Sequence, residues 1–140
     1  MLNQASLIAA LGRVLIALIF VMSGLGKVAS PDATMGYISA ANLPFPLLAY
    51  IVAVVVEIGG GILLVAGFQT RAVGAVQAIF TVAAAVGFHS AFSDQNQMIH
   101  FLKNISMAGG LLQVVAFGAG SFSIDNWRAG SRLEPHPSAA

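Results

Sequence analysis

No cysteine occurs in the 140 residues, which removes disulfides, thiolate nucleophiles and Cys-ligated zinc or iron–sulfur centres. Charge is almost as scarce. Asp, Glu, Lys and Arg make up 8% of the chain, against about 25% in soluble domains, so a soluble domain is excluded. A net charge of +1 offers no basic patch, and nucleic acid is therefore not expected as a partner. The apolar runs do not alternate as barrel strands do. A Gly-rich phosphate loop, a catalytic triad and a zinc motif are all missing. No complete catalytic set is visible, which leaves open whether the chain is an enzyme.

What remains is apolar: 58% hydrophobic residues and a mean hydropathy of +0.88. The expected fold is all-α, an integral membrane four-helix bundle. Continuous apolar runs place its spans at about Ser6–Gly26, Pro46–Ala66, Arg71–Ala91 and Met98–Gly118, each near the ~20 residues that cross a ~30 Å hydrocarbon core. The N-terminal run lacks a basic leader and exceeds a signal peptide's apolar stretch, so it reads as a retained first helix. Arg13, Arg71, Arg128 and Arg132 fall on one side if both termini are cytoplasmic, which sets the expected orientation. The first external loop, around Lys27–Pro46, is the longest. Ser30 as an N-cap and Pro31 at the first helical position start a short amphipathic helix in it, with Met35 and Ile38 on one face. Residues 1–127 are read as one transmembrane domain, with Trp127 as an interfacial anchor. Residues 128–140 are read as a polar, disordered cytoplasmic tail.

The second span holds the chain's most costly residue. Glu57 lies near its centre, where a carboxylate costs roughly 2.5–3.5 kcal/mol on insertion scales. Gly59, Gly60 and Gly61 follow at once and weaken a helix unless another backbone must come close, so they are assigned to helix packing. Arg13 on the first span falls within roughly 3 Å of Glu57 in depth at ~1.5 Å per residue. An Arg13–Glu57 pair would neutralise both charges and form a buried polar core. That core serves structure alone or function as well.

Nearer the outer side, His100, Lys103, Asn104 and Met107 share one face of the fourth span, and His89 and Lys27 lie at similar depth. His89, His100, Lys103, Asn104 and Lys27 are the candidate ligand-binding residues. A bis-His haem would need the two imidazoles on facing helices with a plate-shaped gap between them, which makes haem a poor expectation. No tight ligand spacing supports a metal at His89, Asp94 and His100. Asp125 is expected to pair with Arg71, Arg128 or Arg132.

Several short stretches, taken in order, resemble the DoxX family from about Leu11 to Asp125. They are Arg13 with Phe20 and Ser23–Lys27, Leu43-Pro44, Glu57–Gly61, Gly67–Arg71, His89, His100–Asn104, and Gly118–Asp125. Asn42 departs from the pattern, which often has glycine before Leu-Pro. The resemblance implies a small four-helix protein of the bacterial inner membrane, with an accessory or anchoring role in quinone-linked or redox-defence oxidoreduction. It implies quinone as the cofactor to test, and a redox enzyme or a second copy of the chain as partner beside the lipid bilayer. Two alternatives stay open: a binding or transport bundle for a small hydrophobic or anionic molecule, and a purely structural assembly subunit.

Overall fold

Helices form where the apolar runs lie, because a backbone in hydrocarbon must satisfy its own hydrogen bonds. The computed structural model describes residues 4–131, and all regular structure among them is helical. The elements are α1 (Gln4–Ala29), α2 (Pro31–Ala40), α3 (Pro46–Ala66), α4 (Thr70–Phe88), α5 (Gln95–Phe117) and α6 (Ile124–Ser131). Three of them, α1, α3 and α4, are long and apolar enough to cross a membrane. The fourth expected span corresponds to α5, whose 23 residues give the length. His100, Lys103 and Asn104 make it more polar than the other three.

Each helix end has an identifiable cause. Phe68 N–H to Leu63 O (3.0 Å) and Gly67 N–H to Leu64 O (3.2 Å) close α3 in a Schellman turn, with Gly67 at φ +67°. A Cβ on Gly67 would collide with Ser123 and lie 3.2 Å from Arg13 Cζ, so glycine is needed there twice over. Asn42 ends α2 in the same way, at φ +55° with its N–H on Ser39 O. Asparagine is one of the few residues that tolerates this conformation, so it serves where the resemblance led to an expectation of glycine. Ser30 occupies the N-cap position of α2, as expected. Pro31 does start α2, but Ser30 Oγ makes no capping bond, and its backbone carbonyl instead accepts from Thr34 N–H and Oγ. Asp94 caps α5 through Asn96 N–H at 2.8 Å.

The four long helices form two antiparallel pairs, α1 with α3 and α4 with α5. "Lower" here denotes the end where α1 begins and "upper" the end where it finishes. The buried core joins the pairs in the lower and middle levels through Ala17, Phe20, Leu64, Ala78, Ala108 and Leu111. Two of the three glycines assigned to packing serve it. A Cβ on Gly61 would lie 2.6 Å from Val21 Cγ2, and one on Gly60 would lie 2.8 Å from Gln77 Nε2. Gly59 faces open space, so its assignment to packing is corrected. The three glycines are consecutive, and a helix turns each of them to a different side. Elsewhere large apolar side chains face outward, among them Leu7, Ile8, Leu11, Ile79 and Phe117, as lipid contact requires.

Order extends beyond the boundary expected at residue 127. α6 continues to Ser131 and carries Trp127, 73% exposed, on its surface. Arg132 and the remainder of the expected tail lie outside the described residues.

Candidate functional site

Halfway down α3 the helix changes pitch. Val55–Gly59 form a π turn, and Glu57 sits within it. Such turns insert an extra residue into a helix and are frequent at functional sites. Gln77, fully buried on α4, donates from Nε2 to Val56 O at 3.3 Å and so fastens this turn from the side. On the opposite side Gly24 of α1 admits it. A Cβ there would come within 2.5 Å of Ile58 Cγ1 and 3.1 Å of Glu57 Cβ.

Glu57 is 7% exposed and pairs with Lys27, not with Arg13. Lys27 Nζ donates to Glu57 Oε1 at 2.9 Å and to Oε2 at 2.8 Å, and also to Ser23 Oγ at 2.8 Å. Ser23 Oγ lies 3.3 Å from Oε1 and donates to it. This corrects the expected clasp, and the cause is the register of α1 against α3. Gly24 lies beside Glu57 and Ile58, and Ala17 and Val21 lie beside Gly61. Arg13 is eleven residues before Gly24, about 16 Å along the helix, and so sits level with the end of α3 and not with Glu57. Lys27 is less than one turn above Gly24, and its side chain leans back toward the N-terminus of α1, onto Glu57.

Arg13 is nonetheless buried, 3% exposed, and its partners are carbonyl oxygens. Its guanidinium donates from Nη1 to Ala119 O, and from Nη2 to Phe122 O at 2.6 Å and to Val65 O at 3.4 Å. Val65 belongs to the last turn of α3, where carbonyls lack helical partners and the helix dipole favours a cation. Below it, Asp125 makes no ion pair with Arg71 or Arg128, the two expected partners among the described residues. Its oxygens accept from Gln69 N–H at 2.8 Å and Thr70 N–H at 2.9 Å, which caps α4 from α6. Burial pushes the Asp125 carboxyl up. The hydrogen bonds from Thr70 and Gln69, with the Arg128 charge, outweigh that and hold it below the usual carboxylate range.

Above the ion pair the two helix pairs separate around a cavity of about 640 Å³. Lys27, Glu57 and Ser23 contribute to its polar end, with His89 and Asn104, while Ile38, Val52, Ala53, Phe80, Ala84 and Phe88 supply apolar walls. A smaller chamber of about 160 Å³ adjoins it and shares Ser23, Glu57, Phe80, Ala84, His89 and Asn104. His100, Lys103, Thr81 and Met107, with Ile19 and Phe20 of α1, complete this chamber. All five candidate ligand-binding residues thus come together, with Lys27 in the larger cavity and His100 and Lys103 in the smaller.

His89 and His100 stack face to face, with ring centroids 5.1 Å apart and planes at 26°. Rings stacked on each other cannot flank a porphyrin plate between them. His89 Nδ1 lies 2.9 Å from Gln97 Oε1 and donates to it. Asp94, the third residue weighed for a metal, is occupied as the α5 cap. Among the described residues no three His, Asp or Glu side chains converge as a metal site.

Sequence reading missed Ser23, Phe80 and Ala84 as lining, and the π turn altogether. The signal for Ser23 was its position one turn before Lys27. Phe80 and Ala84 are ordinary residues for an apolar helix and carry no signal of their own.

An antiparallel bundle with spanning helices, an ion pair at mid-depth and an adjoining cavity defines a class: small multi-span membrane proteins with an internal polar site. The sequence pattern of the DoxX family matches residues 8–90, more than half of the chain. Two proteins of Escherichia coli K12 are similar throughout most of their length. Inner membrane protein YqjF is 34% identical over 113 residues, covering 81% of this chain and 85% of YqjF. Inner membrane protein YphA is 35% identical over 120 residues, covering 82% of this chain and 86% of YphA. The chain belongs to the DoxX family and is an integral membrane protein. No solved structure matches it.

Proposed function

We propose that this protein is a ligand-binding bundle of the bacterial inner membrane, acting as an accessory subunit beside a quinone-linked or redox-defence oxidoreductase. The observation that carries the reading is the 640 Å³ cavity with apolar walls and one polar end. Pockets of about 300–1,000 Å³ with a few convergent polar groups are the usual form of a small-molecule site. Lys27, His89 and Asn104 offer hydrogen-bond donors to the carbonyl oxygens of a quinone-type ring, and the aromatic rings of Phe80 and Phe88 flank the apolar part. The inner membrane as location is supported by the two relatives' names. Cytoplasmic termini are supported by Arg13, Arg71 and Arg128, which all belong to the lower half of the bundle.

The test is purification in a mild detergent, followed by an optical spectrum and mass spectrometry of the extracted small molecules. Near-stoichiometric quinone in the wild type, lost in Asn104→Leu and Lys27→Met, is the expected result. Phospholipid alone, with no quinone gained on adding a decyl-tailed benzoquinone, would overturn the ligand reading and favour an assembly role. Orientation is checked separately. The chain has no native cysteine, so a single cysteine at Ser131 should react with an impermeant maleimide only after the inner membrane is opened.

A further inference from the structure

We propose that the ligand is an amphiphile with a long apolar tail, which enters sideways from the bilayer between the upper halves of α3 and α4. This rests on the ligand-binding reading above and adds the route and the tail. α3 packs on α4 through the π turn and through Gly60–Ala66, but makes little contact with it along Pro46–Val54. Above the π turn the two helices therefore diverge, and the cavity fills the gap. The edges of the gap are small: Ala49 and Ala53 on α3, Ala83 and Ala84 on α4. Small residues on facing helices leave room for a chain without requiring the helices to move.

The top is closed differently. α2 lies over the cavity with Ile38 buried beneath it. Tyr37 of α2 stacks on Phe88 at the end of α4, with ring centroids 5.2 Å apart and planes at 12°. This stack stands between the apolar part of the cavity and water above, while the side between α3 and α4 faces the level of the hydrocarbon. The polar groups lie on the far side, where the smaller chamber carries His100 and Lys103. A ligand with its head at Lys27–Glu57 thus has its apolar remainder directed at lipid. A tail left in the bilayer loses no hydrophobic stabilisation on binding, and only the head and the first part of the tail need to be ordered by the protein.

The experiment uses the full chain in lipid nanodiscs and two probes, a decyl-tailed benzoquinone and the same ring without its tail. Ala83→Trp obstructs the gap, and Val76→Trp places the same side chain on the exposed surface of α4 outside the cavity. Elution profile and melting temperature verify that both variants fold. The amphiphiles retained from the native membrane are analysed by mass spectrometry in all three proteins.

The expected result is tighter binding of the tailed probe, at least tenfold weaker in Ala83→Trp and unchanged in Val76→Trp. Equal binding of both probes, undiminished by Ala83→Trp, would overturn the lateral route while leaving the ring site intact. If neither probe binds but a tailed amphiphile is retained by the wild type and lost from Ala83→Trp, the route stands and the quinone-type head falls. If neither probe binds and nothing is retained, both fall.

Discussion

At the scale of the residue, the main lesson concerns which charges meet. Lys27 and Glu57 hold each other with both carboxylate oxygens engaged. Removing one partner of a fully buried pair costs ~3–5 kcal/mol, because the other is left uncompensated. Lys27 keeps 25% exposure, so Lys27→Met should cost less, about 2 kcal/mol. Adding Glu57→Gln should recover part of that loss, and thermal melts of the two single variants and the double variant in one detergent would show it. An additive double variant would mean that the pair contributes no coupling. Arg13 and Glu57 behave in the opposite way. They share no partner, so the losses from Arg13→Lys and Glu57→Gln should add to within about 0.5 kcal/mol. Sequence reading placed both residues in the buried core and erred on their pairing. Burial was legible from hydropathy, but the register of α1 on α3 was not: the close approaches at Gly24 and Gly61 set it, and it brings Lys27 instead of Arg13 to Glu57.

At the scale of the element, the long helices were legible because apolar runs of about 20 residues leave few other structures available. The π turn was not. Nothing in Val55–Gly59 distinguishes one extra residue in a turn from a continuous helix, and the feature depends on Gly24 and Gln77 from two other elements. α6 was hidden for a related reason: its first acid, Asp125, caps α4 and so acts on a neighbour. That cap gives a pH dependence. The folded carboxyl is held below its unfolded value of 3.8. Its contribution to stability is thus fully present above that value, and is lost as pH falls through the still lower folded value. Melting temperature measured from pH 6 downward should decline more steeply in the wild type than in Asp125→Asn, which starts lower and lacks this titration. Parallel curves would show that the carboxylate's charge is not what holds the cap.

At the scale of the whole molecule, the bundle is packed through in its lower part and hollow in its upper part, beneath α2. The core joins both helix pairs in the lower and middle levels, whereas Pro46–Val54 and α2 border the cavity. Local stability follows packing. Amide exchange in nanodiscs should therefore slow on adding the decyl-tailed benzoquinone in α2 and Pro46–Val54, with little change in Gly60–Ala66. Uniform slowing along α3 would indicate a global effect and not occupancy of the upper cavity.

The hydrogen bonds of Arg13 and Asp125 also bear on synthesis. A guanidinium that enters the membrane with the first helix finds its final acceptors at Ala119 and Phe122, more than a hundred residues later. The first turn of α4 likewise obtains its cap only with Asp125. During translation the early helices can insert and pair, but their polar groups stay provisionally solvated until the last segment emerges. A chain stopped after Phe117 would hold every long helix and still lack these closing bonds. The segment after α5 thus works as a latch, holding α1 through Arg13 and α4 through the N–H groups of Gln69 and Thr70.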